Sequence, residues 1–120
     1  MNTASLTKGA GLGTVLQTLT VVAGHFMSPE QQGMLFPIAG TAIGVITGWL
    51  SAGGTRAMPL GSTAAQGAIA GGVAGVLGSL VSTALGDVPL GNMAIAGGST
   101  FIAGAIGAAI GRAMTPASAR

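Results

Sequence analysis

From Ser62 to Gly86 the chain carries no charged side chain and sorts by helical period into two unlike faces. Gly67, Gly71, Gly75, Gly78, Ser82 and Gly86 fall on one face, and Ile69, Val73, Val76, Leu77 and Leu80 on the other. In water this arrangement has little to recommend it, because each glycine costs about 1 kcal/mol against alanine inside a helix and a smooth face buries little apolar surface. In hydrocarbon the same face lets two backbones approach closely, since small residues four apart are the usual contact of membrane helices. The design recurs twice. Over residues 29–52, Gly33, Gly40, Gly44, Gly48 and Ala52 oppose Leu35, Phe36, Ala39, Ile43, Ile46 and Leu50; over residues 90–113, Gly97, Gly104, Gly107, Ala108 and Gly111 oppose Ile95, Ile102, Ile106 and Ile110.

A fourth stretch, residues 10–27, differs. Leu12, Val15, Leu16, Leu19, Val22 and Phe26 share one side, and Thr14, Gln17, Thr18 and His25 the other, so this helix alone carries a polar stripe. The stripe can line a water-filled space, lie in the membrane interface, or turn its hydroxyls onto its own backbone. Thr14, Gln17 and Thr18 are the candidates to line a hole. His25, at the helix end, suits an interfacial or last-turn position.

Local signals set the boundaries. Ser28, Pro29 and Gln31 spell an N-cap, a first-turn proline and a capping box for the helix over 29–52. Pro37 is expected to kink that helix, Trp49 to sit at headgroup level, and Gly53-Gly54 to stop it. Ser62 is the expected N-cap of the helix over 62–86, Gly86-Asp87-Val88-Pro89 a tight turn, and Thr115-Pro116 the end of the last helix. Residues 1–9 read as a polar leader, 10–114 as one transmembrane domain and 115–120 as a short basic tail.

Charge turns four helices into a topology. The charged residues are Lys8, Glu30, Arg56, Asp87, Arg112 and Arg120, which leaves four uncharged runs of at least 20 residues each. That length spans about 30 Å of hydrocarbon at 1.5 Å per residue. Four crossings place Lys8, Arg56, Arg112 and Arg120 on one side, and Glu30 and Asp87 on the other. By the positive-inside rule both termini and the middle loop are then cytoplasmic. The expected fold class is all-α, an integral membrane bundle of four transmembrane helices in two hairpins. Three spans, with residues 10–27 lying on the surface, is the alternative.

Composition removes most function classes. Charged residues make up 5% of the 120, too few to keep a globule dispersed in water, and the excess of two positive charges is too small to argue for nucleic acid. Without cysteine there is no disulfide or zinc framework. Lys8 ahead of an apolar run would also suit a secretory signal, but Thr14, Gln17, Thr18 and Thr20 interrupt that run. One histidine and two separated carboxylates offer neither a metal site nor an acid–base pair, and no span carries the intramembrane charge of a pump or carrier. Gly11-x-Gly13 lacks the strand and lysine of a phosphate loop. No enzyme activity, cofactor or metal is expected. What remains is shape. Smooth faces on three helices exceed what one small bundle needs, so Gly40, Gly44, Gly48, Gly67, Gly71, Gly75, Gly78, Gly104, Gly107 and Gly111 are expected to pack helices within and between copies, in a homo-oligomer within the lipid bilayer.

The whole chain resembles the phage holins: a short reading frame, several Gly/Ala-rich spans, a short polar N-terminus and a basic end. The passage HFMSPEQQGMLFPIAGTAIGVITGWLSAGG, with its polar turn before a glycine-spaced span, carries the resemblance most strongly. That resemblance implies accumulation in the cytoplasmic membrane and lateral association into a lesion that releases a muralytic enzyme. A structural role is the competing expectation: a subunit of a virion membrane, an ejection conduit or a pilus-like assembly, in contact with other phage or membrane-complex proteins.

Overall fold

The computed structural model describes residues 2–53 and 58–114. Arg56 and Arg120, two of the four cations expected to set topology, lie outside the described residues. The chain forms four α-helices, α1 (Thr3–His25), α2 (Pro29–Ser51), α3 (Leu60–Ala84) and α4 (Asn92–Met114), and no strand among the described residues. At 1.5 Å per residue each is about 35 Å long, enough to cross the hydrocarbon of a bilayer. Three of them, α2, α3 and α4, are also apolar enough to do so; α1 is not.

The helix ends follow their caps. At α2 the expected capping box is present: Ser28 Oγ accepts from the Gln31 N–H and Gln31 Oε1 accepts from the Ser28 N–H. The helix runs on through Pro37. The other starts differ from the sequence expectation. Residues 3–9 are no separate leader but the first two turns of α1, because the Asn2 side chain accepts from the Ser5 N–H and closes the helix there. Lys8 is therefore an exposed position inside the helix. Ser62 does not cap α3; its N–H already bonds to the Pro59 carbonyl, which puts Ser62 in the first turn and Pro59 at the cap position. Leu90 and Gly91 form a turn ahead of α4, with the Asn92 N–H on the Pro89 carbonyl.

α3 ends two residues early, in a Schellman motif. The Asp87 N–H bonds to the Ser82 carbonyl and the Gly86 N–H to the Thr83 carbonyl, which requires Gly86 at φ 80°. No other described residue has positive φ.

α1 and α2 form one antiparallel hairpin, α3 and α4 another. α1 packs on α2 and α3, α4 packs on α3 and α2, and α2 and α3 touch across the middle, while α1 and α4 do not meet. The inside is small and the outside is large. Fully or nearly fully buried positions include Ala70, Ala74, Ala108, Thr47, Ser51, Thr63 and Gln66, whereas Leu19, Ile38, Ile95, Ile102 and Ile106 are exposed. Water would drive those aliphatic side chains inward; a lipid surround leaves packing and hydrogen bonding to decide what the helices turn toward one another.

Candidate functional site

The glycine faces place the helices. All ten glycines nominated from the pattern meet another helix of the same chain, and at nine of them an added methyl would press on it. Between α3 and α4, a methyl at Gly67 would run into Ala108 and the Gly104 carbonyl, one at Gly71 into the Thr100 carbonyl, one at Gly75 into the Thr100 hydroxyl. Between α2 and α4, Gly44 meets Thr100 and Ala103, Gly48 meets Gly104, Gly107 meets Val45, and Gly111 meets Trp49 and Ala52. Backbone therefore touches backbone at Gly48, Gly67, Gly71, Gly104 and Gly107. Gly78 rests on Gln17, and Gly40 has Gln17 Oε1 3.8 Å from where its Cβ would be.

This corrects the premise of the self-association argument. The smooth faces are not surplus: they are spent inside the chain, and among the described residues the glycines with open space beside them are Gly11, Gly33, Gly61, Gly86, Gly91 and Gly98. Gly9, Gly13 and Gly24 on α1 pack as well, against Ser51, Thr47 and Phe36. Their four-residue spacing at Gly9 and Gly13 was visible in the sequence. Leu35, Phe36 and Ile43, on the face of α2 read as opposite its glycines, also take part in the packing, with Phe36 and Leu35 over Gly24 and Ile43 buried.

Close packing holds at one end of the bundle and relaxes at the other. Toward the end that carries His25, Glu30 and Asp87, the four helices leave a cleft of about 80 Å³ lined by Gln17, Thr20, Gly40, Ser79, Ser82, Asn92 and Thr100 among others. Gln17 is buried and donates through Nε2 to the Gly40 carbonyl at 3.2 Å. Asn92 Nδ2 donates to Ser79 Oγ at 3.2 Å. Thr20 and Thr100 donate their hydroxyl hydrogens to carbonyls of their own helices, Leu16 and Ala96, at 3.0 and 2.7 Å. Ser82 Oγ is buried with no hydrogen-bond partner. No charged side chain lines the cleft. Thr41 and Ser99 also line the cleft and are exposed.

Of the polar stripe on α1, Gln17 alone reaches this space. Thr14 donates to the Ala10 carbonyl at 2.7 Å and is half-buried; Thr18 is half-buried; neither lines the cleft. The site residues that sequence reasoning missed, Ser79, Ser82, Asn92 and Thr100, are hydroxyls and an amide on helices read only for their glycines. Ser82 was grouped with the smooth face, and that grouping was the available signal.

At the rim, His25 Nδ1 lies 3.0 and 3.1 Å from the two Asp87 oxygens, and Gln32 Nε2 donates to Asp87 Oδ1 at 3.3 Å. The contact joins the end of α1 to the α3–α4 turn and the start of α2. At the opposite end, the Asn2 N–H donates to Gln66 Oε1 and Gln66 Nε2 to the Ser51 carbonyl, while Arg112 Nη2 donates to the Met58 carbonyl at 3.1 Å. Lys8 and Arg112 thus share the end opposite Asp87. Among the described residues no three of His, Asp and Glu converge as metal ligands would.

Comparison with protein-family models, with curated proteins and with solved structures finds no match for this chain.

Proposed function

We propose that this chain is a small integral protein of the cytoplasmic membrane that permeabilises it, a holin-like pore former acting as an assembly of copies. The observation that carries the reading is the inversion of the bundle: exposed aliphatic side chains surround an interior of glycine, hydroxyl and amide groups, with a cleft in it that such groups line in part. Such an interior gives water a foothold at membrane depth without placing a charge there. α1 is the element through which the bundle opens. It is the least apolar helix, it does not touch α4, and side-chain hydrogen bonds tie it to the rest at Asn2, Gln17 and His25. Hydrogen bonds between membrane helices contribute about 0.6–2 kcal/mol each, so exchange of these contacts between crowded copies is energetically open. Both termini then face the cytoplasm.

Inducible expression in a bacterium, with a potential-sensitive dye and culture density read together, tests the proposal. Collapse of the membrane potential after accumulation is the expected result. Prolonged harmless accumulation in the membrane overturns it, and recovery of the chain in purified particles or filaments would transfer the reading to a structural subunit.

A further inference from the structure

The cleft between Ser82 and Gln17 has a chemistry of its own. Thr20 and Thr100 spend their hydroxyl hydrogens on their own helices and offer the cavity oxygen, while Gln17, with one amide hydrogen on Gly40, keeps the second. Ser82, only 2% exposed, lines the same space with a hydroxyl that nothing in the protein satisfies. A buried hydroxyl without a partner is destabilising, a penalty removed by any guest that can hydrogen-bond to it. The cavity of about 80 Å³ has room for several waters, each of which needs roughly 10–15 Å³ and two to four polar neighbours. Its lining starts near the Asp87 end, at Ser82 three residues from the Schellman turn and at Asn92, the first residue of α4. On the far side the backbone contacts of Gly48, Gly67, Gly71 and Gly104 close the interior.

We infer that the cleft is a hydrated half-channel, entered from the Asp87 end and closed at the level of Gln17 and Thr100, and that it takes small neutral molecules that both donate and accept hydrogen bonds: water, and solutes such as urea. Ions are excluded, because no charged side chain among the described residues lines the wall to offset the cost of stripping an ion of its water. The inference rests on the four helices crossing a bilayer and is independent of whether assembled copies permeabilise the membrane.

The natural absence of cysteine makes the test direct. Ser82→Cys and Ser79→Cys are placed singly in the full chain, reconstituted in lipid vesicles, and treated from either side with the small uncharged reagent methyl methanethiosulfonate, while impermeant glutathione scavenges it on the other side. Ala74→Cys, at a fully buried position outside the cleft, is the control. The attacking species is the thiolate, so reaction requires water at the sulfur. Expected is modification of both cleft cysteines from the Asp87 side at least about tenfold faster than the control and than from the opposite side. Ser82→Cys and Ser79→Cys as slow as Ala74→Cys would overturn the half-channel. Equal rates from both sides would overturn its closure. Retained helicity by circular dichroism separates these outcomes from misfolding, and the expression assay above can fail or succeed without altering them.

Discussion

A pair of substitutions on α4 isolates what the glycine contacts contribute. Gly104→Ala and Gly98→Ala make the same chemical change six residues apart within one helix. Each replaces glycine by the better helix former, a gain of about 1 kcal/mol that cancels when the two are compared. Their surroundings are opposite. At Gly98 nothing lies within 4 Å of the new methyl, while at Gly104 it would overlap the Gly67 carbonyl on α3 and press toward the Gly71 Cα. The obstacle is backbone, which has no rotamer to yield, so α3 and α4 must part. Forced overpacking of this kind costs about 1–3 kcal/mol, and that is the expected difference in unfolding free energy between the two variants. Titration of the protein in mild-detergent micelles with dodecyl sulfate, followed by circular dichroism, measures it. Because the contact is within one chain, the difference should not depend on protein concentration. Equal midpoints for the two variants would refute the packing argument; a difference that grows with dilution would show that the glycine faces join separate copies.

Further expectations follow from single sites. Gln66→Leu removes both the acceptor of the Asn2 N–H and the donor to the Ser51 carbonyl at a fully buried position, and should destabilise the bundle by about 1–3 kcal/mol in the same titration. Gly86→Ala puts a Cβ at φ 80° and should lower stability by about 1 kcal/mol, against little change for Gly91→Ala, where φ is negative and space is open. His25→Ala and Asp87→Ala should be less than additive in a double-mutant cycle, since each removes the same contact, and additivity would show that the pair does not form. Cysteines at Val88 and Ser5, near opposite ends of the bundle, should be labelled by an impermeant reagent from opposite sides of the membrane; labelling from one side would overturn the transmembrane arrangement.

What the sequence made legible is whatever a single helix can encode. The faces of α3 and α4 were readable because Gly67, Gly71, Gly75 and Gly78, or Ile95, Ile102, Ile106 and Ile110, repeat at the helical period, and the capping box at Ser28 was readable because its chemistry lies within four residues. The start of α1 escaped because Asn2, Thr3 and Ser5 read as polar leader, although an asparagine three residues ahead of the N–H it caps is itself a helix signal. Ser62 was the better capping residue by type, yet the chain turns helical at once after Pro59, whose fixed φ needs no side-chain cap. The partner of a smooth face was not legible at all. Periodicity gives the face and not what it meets, so the same glycines fitted contacts within a chain or between chains until the ring of α1, α2, α4 and α3 assigned them.

The two halves of the bundle have different interiors because the same four helices solve the packing problem in two ways. Where Gly48, Gly67, Gly71 and Gly104 bring three backbones together, the polar side chains left inside are tightly enclosed, Gln66 between the Asn2 N–H and the Ser51 carbonyl and Ser51 on the Gly48 carbonyl. One or two turns on, Gln17, Ser79, Ser82 and Thr100 join Gly40, Gly75 and Gly78 in lining a cleft of about 80 Å³. A bundle glycine-packed throughout would be an inert plug in the membrane, and one polar throughout would lose the close contacts that hold it shut. Gln17 sits at the boundary, its stem against Gly78 and its amide on the Gly40 carbonyl, so that one side chain both closes the packed half and floors the open one.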